Sequence, residues 1–255
     1  LFDDLLFYYK YASSTYTDCA SPNGNVMVQQ VRCSKSPRQT QEFVARDDTK
    51  KEIIVAWRGS SAIQDFLITD ADLILKTYSS QRVSPASGTK VHSGFIRSYN
   101  SIADQVISLV GSQLDANPGY TVVSTGHSLG GSLASLAGVS LKSNFPDTPM
   151  RLYTYGQPRT GNQAYADLVN KLFGDQSFRY VRTTDGVPTA FPQLFGFKHH
   201  GVEYWQTSDP AVANTLVQCA PGGEDPNCSD SLFSDGFTPT HLTYFGLHFD
   251  TPFCS

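Results

Sequence analysis

Apolar and polar positions along this chain follow two different periods, and the change of period marks out its elements. From Phe95 the apolar residues Phe95, Tyr99, Ile102, Val106, Leu109, Val110 and Leu114 recur every three or four positions until Asn117-Pro118-Gly119 interrupts them, which predicts one amphipathic helix. Further helices are predicted over residues 131–141, which are rich in small side chains, over 163–173, and over 3–11 with Asp3 or Asp4 near the N-terminus. Residues 41–46 and 52–57, joined across Asp47-Asp48-Thr49-Lys50, read as a hairpin, and residues 120–125, 151–155 and 178–182 read as strands. From residue 120 onward strand and helix alternate, the order that builds a parallel or mixed α/β sheet with helices on its faces. No repeat, low-complexity tract or linker divides the 255 residues, so a single domain over 1–255 is expected.

A content of 40% hydrophobic and 16% charged residues can fill such a core and lacks the signature of disorder. The net charge of −4 gives no general attraction to nucleic acid or an anionic membrane, so a polyanionic partner is not expected. No apolar run is long enough to span a bilayer. The opening Leu1-Phe2-Asp3-Asp4 has neither an initiator Met nor a basic segment before an apolar one, and a mature or trimmed chain is expected. Cys19, Cys33, Cys219, Cys228 and Cys254 form no CxxC pair and no zinc-ligand spacing with the histidines, which points to disulfides and secretion rather than to a metal or cofactor. Cys219 and Cys228 bracket a turn-rich stretch suited to a local bridge, and one cysteine is left over. Asn227-Cys228-Ser229 is a glycosylation sequon that a bridged Cys228 would crowd.

Candidate chemistry centres on Gly126-His127-Ser128-Leu129-Gly130, a G-x-S-x-G pattern between a predicted strand and a predicted helix, with a further glycine at Gly131. The glycines let the backbone turn sharply enough to present Ser128, exposed, at the strand end. The five-residue pattern arises by chance in many chains, and its strand–turn–helix setting is what separates it from an ordinary glycine-rich turn. A serine hydroxyl attacks only if a base takes its proton, and in this class of site the acid and base follow the serine in the chain. His199, His200, His241 and His248 remain as bases, and spacing alone does not choose among them. His199 and His200 fall in an expected surface loop as solvated or structural imidazoles, whereas His241 lies between Thr238-Pro239-Thr240 and an apolar run, where a base can reach an elbow. Asp185 directly follows the 178–182 strand, and a strand-end loop is where a carboxylate is needed.

With these residues in place the sequence resembles the class 3 lipases of filamentous fungi, an α/β-hydrolase family that also contains feruloyl esterases. The resemblance runs in order, over nearly the whole chain, through Trp57-Arg58-Gly59-Ser60, Val91-His92-Ser93-Gly94-Phe95, the elbow, residues Leu152 to Asn162, Asp185-Gly186-Val187-Pro188 and residues His241 to Gly246. It implies an α/β-hydrolase fold with a central mostly parallel mixed sheet, Ser128 as nucleophile, Asp185 as acid and His241 as base. It also implies an oxyanion hole at Ser60 and Leu129, whose N–H groups, helped by the Ser60 hydroxyl, would face the developing charge; such a donor is worth about 2.7–4 kcal/mol. A plain turn serine at Ser60 is the alternative, and His92 reads as a residue that fixes its loop. The family pattern further implies bridges Cys19–Cys254 and Cys219–Cys228, and Cys33 departs from it as a free thiol or a link to a dimer.

The segment after the oxyanion loop, with Ile63, Phe66, Leu67 and Ile68 apolar, corresponds in the lipases to a mobile lid over the acyl groove; a short amphipathic helix packed permanently is the alternative. A second apolar stretch, residues 189–197 with Phe191, Leu194, Phe195 and Phe197, reads either as a groove wall or as core packing. The expected function is thus secreted hydrolysis of acylglycerols or related long-chain esters at a lipid–water interface. A feruloyl or other soluble-ester esterase is the runner-up, and a catalytically dead lipid-binding relative is disfavoured by the intact Ser128, Asp185 and His241.

Overall fold

The computed structural model describes residues 1–32, 41–60, 73–80, 83–232 and 236–255. Helix α1 (Phe2–Ser14) leads into strands β1 (Val26–Arg32), β2 (Gln41–Asp47) and β3 (Glu52–Trp57), and a small two-stranded ribbon, β4 (Leu75–Thr77) with β5 (Lys90–His92), follows. Next come helices α2 (Ser93–Asn100) and α3 (Ala103–Ala116), then β6 (Thr121–His127), α4 (Leu129–Asn144), β7 (Met150–Tyr155), α5 (Gln163–Phe173), β8 (Ser177–Arg182), β9 (Val202–Gln206) and β10 (Leu216–Pro221). The main sheet has the order β1-β2-β3-β6-β7-β8-β9-β10. Its centre, β3 to β9, is parallel, and the β1-β2-β3 meander and β10 add antiparallel edges.

The period-2 alternation of the strands sorts their side chains onto two faces. Val44, Ile53, Val55, Trp57, Val122 and Leu152 pack beneath α2, α3, α4 and α5. Phe43, Ala45, Ile54, Ala56, Val123 and Tyr153 meet α1, whose Leu5, Tyr8, Tyr9 and Ala12 are buried against them. Helices therefore cover both faces, as a largely parallel sheet requires.

Most expected elements appear within a few residues of their expected ends, but the expected helix from Phe95 to Leu114 is two helices. Ile102 leaves the helical region at φ −136°, ψ 0°, and Ser101 turns its hydroxyl back to the Ser98 carbonyl at 2.6 Å. Phe95, Tyr99, Ile102, Val106 and Val110 are all buried on the same face, so the apolar period runs unbroken across the bend. Both implied disulfides are formed, Cys19–Cys254 and Cys219–Cys228, and the first ties the segment after α1 to the C-terminal residues. Cys33 lies outside the described residues.

Candidate active site

β6 ends at His127 and α4 begins at Leu129, which leaves Ser128 alone at the turn between them. Its backbone, φ 61° and ψ −131°, is a conformation that side-chain-bearing residues rarely hold, at a cost of about 1–3 kcal/mol. Surrounding contacts hold it there: the Ser128 N–H donates to the Tyr155 carbonyl of β7 at 2.9 Å, and the Ser128 carbonyl accepts from Gly131 at 2.9 Å. Strand and helix cross so closely that a Cβ on Gly126 would lie 2.2 Å from the Gly130 oxygen, and one on Gly130 2.2 Å from the Trp57 oxygen. The glycines of the motif are thus demanded by the crossing. Ser128 is buried, against the expectation of an exposed serine, because the loop leaving β3 lies on it; a Cβ on Gly59 would come within 3.2 Å of the Ser128 Cβ.

Asp185 stands three residues beyond β8 in a tight turn, where its N–H donates to the Arg182 carbonyl and its Oδ1 accepts from the Val187 N–H at 2.9 Å. Its Oδ2 lies 2.7 Å from Nδ1 of His241, which a short 3₁₀ turn (Pro239–Leu242) carries in from the C-terminal segment. Both side chains are fully buried. The Tyr244 hydroxyl donates to the same Oδ2. Burial, and next the Asp185 charge, push the Tyr244 phenol well above its ordinary range, so it remains a donor. Gly156, next to Tyr155, leaves room for this group: a Cβ there would meet His241 Cε1 at 2.7 Å and Asp185 Oδ2 at 2.8 Å. The imidazole of His241 thereby lies against the elbow, and its Nε2 and the Ser128 Oγ are both buried with no hydrogen-bond partner among the described residues. Buried polar atoms left open in this way call for a reacting partner.

Leu129 is the first residue of α4, so its N–H has no acceptor within the helix. Ser60 follows β3 on the loop that crosses the α4 N-terminus, partly buried. The remaining expected residues distribute differently. His199 and His200 are buried, a correction to the expected surface loop, because β9 begins two residues later and draws them beneath the sheet. His200 Nε2 meets the Ser135 hydroxyl at 2.9 Å and the Gln157 amide at 3.0 Å, and burial pushes its pKa down to about 3. His199 faces the Pro188 carbonyl at 2.8 Å, so both are neutral structural imidazoles. His92 fixes its loop, its Nδ1 accepting from the Gly94 N–H at the start of α2. In the stretch 189–197, Phe191 and Phe197 are buried while Leu194 and Phe195 project into solvent, 89% and 53% exposed. Ile63, Phe66, Leu67 and Ile68, the expected lid, lie outside the described residues.

Three residues that sequence reasoning missed stand at the base: Tyr244 and His127 lie against it, and Tyr16 lies behind His127. The His127 ring stacks on His241 with centroids 4.5 Å apart and planes at 29°. Its place inside the G-x-S-x-G motif was the available signal for His127, and its place in the His241–Gly246 run was the signal for Tyr244. Among the described residues, the one cluster of candidate metal ligands is Glu203 with Cys219 and Cys228, whose sulfurs are joined to each other.

Residues 54–195 match the family model described as lipase (class 3). The chain is 38% identical over 212 residues to a lipase of Rhizomucor miehei, covering 82% of this chain and 56% of that relative. It is 34% identical over 254 residues to the secreted alkaline triacylglycerol lipase of Penicillium cyclopium, covering 99% of this chain and 87% of that relative. The chain thus spans little more than half the length of the Rhizomucor relative and nearly all of the Penicillium one. Among solved structures, the triacylglycerol lipase of Penicillium expansum superposes with a TM-score of 0.89 at 33% identity, covering 99% of this chain and 96% of that one, so the fold is that of an α/β-hydrolase.

Proposed function

The chain belongs to the class 3 lipase family, and from that membership and its site we propose a secreted serine ester hydrolase that cleaves acylglycerols or related long-chain esters. The observation that carries this is a serine hydroxyl held at a positive-φ turn, without a partner among the described residues, beside an imidazole whose far nitrogen rests on a buried carboxylate. His241 Nε2 takes the Ser128 proton as Oγ bonds to the ester carbonyl carbon, and Asp185 holds the imidazolium that results. The proton passes to the leaving alcohol as its C–O bond breaks, and the acyl group remains on Ser128. Water then gives a proton to the same nitrogen as its oxygen bonds to the acyl carbon, and the acid leaves as the bond to Ser128 Oγ breaks and that proton returns to Oγ. The oxygen that gains charge in both steps is assigned to the N–H groups of Leu129 and Ser60. The open Ser128 Oγ and His241 Nε2 fit a pair that closes when substrate arrives, as catalytic hydrogen bonds often do.

A lipid–water interface as the place of action is supported by the loop of residues 186–197, which holds no ionisable side chain and exposes Leu194 and Phe195. Leu75 approaches Gly196 of that loop, and the neighbouring Ile74 is 46% exposed, so the apolar surface spans two chain segments. We take residues 1–255 as one catalytic unit, and secretion fits the two disulfides. The test is a substrate series from triacylglycerol to monoacylglycerol, with methyl ferulate included, below and above the solubility limit. Ser128→Ala should lower turnover by roughly 10³-fold or more with the thermal midpoint little changed, and a phosphonate should label Ser128 alone. Turnover surviving in that variant overturns the assignment. Methyl ferulate hydrolysis with no response to an emulsion turns it to a soluble-ester esterase.

A further inference from the structure

His127 precedes the candidate nucleophile and has no part in the proton transfers above, yet it is fully buried with both ring nitrogens engaged. Nε2 lies 3.0 Å from the His241 carbonyl oxygen, and a carbonyl only accepts, so Nε2 carries the proton. In the neutral ring Nδ1 is then an acceptor, and the Tyr16 hydroxyl, 3.2 Å away, donates to it. With its proton so used, the Tyr16 oxygen packs directly against Gly59, where a Cβ would lie 2.1 Å from it. One directed chain of hydrogen bonds results, from Tyr16 through His127 to the His241 backbone, and the Tyr16 oxygen seats it against Gly59. It joins the loop that bears Ser60 to the turn that bears the base, by way of side chains supplied from the end of α1 and from the elbow.

We propose that His127 is a positioning residue that, with Tyr16, holds the oxyanion loop and the base at one fixed separation and fixes the plane of the His241 ring. This rests on the ester-hydrolase assignment of the site. The stack on His241 sets the ring plane, and the chain sets the distance, from opposite edges of the same imidazole. Burial, and next the proximity of His241, hold the His127 pKa well below that of a free imidazole, so the direction of the chain persists wherever an imidazole base can act. A side chain present only to fill space would need neither the donor nor the acceptor.

The decisive experiment compares Tyr16→Phe, His127→Phe and the double variant on a soluble short-chain ester, with nitrogen-15 imidazole NMR of the wild type. Each single variant should lower kcat about tenfold with KM changed less than twofold, and the double variant should lose no more than His127→Phe alone, because the two residues form one chain. His127→Gln, whose amide N–H reaches the place of Nε2, should recover part of that kcat. The NMR spectrum should show His127 protonated at Nε2 and bare at Nδ1. A proton on Nδ1, losses that multiply in the double variant, or losses confined to KM would each overturn the proposal. A wild type that cleaves no ester would instead overturn the assignment of the site and the positioning role together.

Discussion

Asp185 Oδ2 accepts from two donors at once, His241 Nδ1 at 2.7 Å and the Tyr244 hydroxyl. Each donor draws off part of the charge available to the other, so Tyr244 limits how strongly Asp185 holds the imidazolium. Tyr244→Phe leaves that oxygen more negative toward His241. The acidic fall of kcat/KM should therefore begin at higher pH, while kcat on the alkaline side drops less than about tenfold. The pH–rate profile on a soluble ester checks this, and a profile that only scales down would make Tyr244 a packing residue. Ser128, Asp185 and His241 were legible in the sequence because each belongs to a short run with its own chemistry, although the choice of His241 over its neighbours came from the family pattern. Tyr16 was not legible, because its role depends on His127, 111 positions away, which only the fold brings near. The misplacement of His199 and His200 has the same cause, since the partners that make burial tolerable, Ser135, Gln157 and Pro188, lie on three separate segments.

Among elements, periodicity revealed whatever is buried on one face and concealed the edges. The central strands read clearly because both of their faces are covered, whereas β1 is an edge strand with most of its residues exposed or half-buried, and β9 and β10 follow loops without an α-helical spacer. The break at Ile102 stayed hidden because a bend that keeps one face buried does not alter the apolar spacing. The sequence located the elbow turn but not the crossing of the end of β3 over the start of α4, where backbone meets backbone closely. Gly130→Ala places a Cβ 2.2 Å from the Trp57 oxygen, and backbone against backbone cannot yield as a flexible side chain does. A loss of about 3 kcal/mol or more is expected in denaturant melts, against about 1–2 kcal/mol for Gly119→Ala, where the space is open and only the left-handed backbone, φ 82°, resists a side chain. Equal costs would show that the crossing relaxes. At the loop of residues 186–197 the prediction concerns binding: Leu194→Ser with Phe195→Ser should weaken flotation with triacylglycerol droplets about tenfold or more, since each side chain buries apolar area worth about 25 cal/mol per Å² on entering lipid. Hydrolysis of a short soluble ester should persist. Unchanged flotation would show that this loop does not meet the lipid.

The whole molecule carries its burial of ionisable groups as a dependence of stability on pH. His127, His199 and His200 are buried with pKa values pushed below the ordinary 6.5, chiefly by desolvation. The unfolded chain therefore binds protons at these sites before the folded one does, and their contribution to stability is present above about pH 6.5 and lost as pH falls. Glu42 on β2 has the opposite sign. It is fully buried, neither carboxylate oxygen has a partner among the described residues, and desolvation holds its pKa well above the ordinary 4.5. Its unfolded counterpart ionises first, so stability declines as pH rises through the interval above 4.5. Below about pH 6.5 the three histidines make stability rise with pH and Glu42 makes it fall, and once the unfolded histidines are neutral only the Glu42 contribution remains among these four. The thermal midpoint should accordingly rise from pH 5 toward pH 6.5, and it should rise further once Glu42 cannot ionise. Glu42→Gln, which keeps the shape and cannot ionise, should melt close to the wild type at pH 5 and progressively higher than it at pH 6.5 and pH 8. If the two melting curves stay parallel across that range, Glu42 is ionised in the folded protein, and the alkaline side of the stability profile arises from other groups.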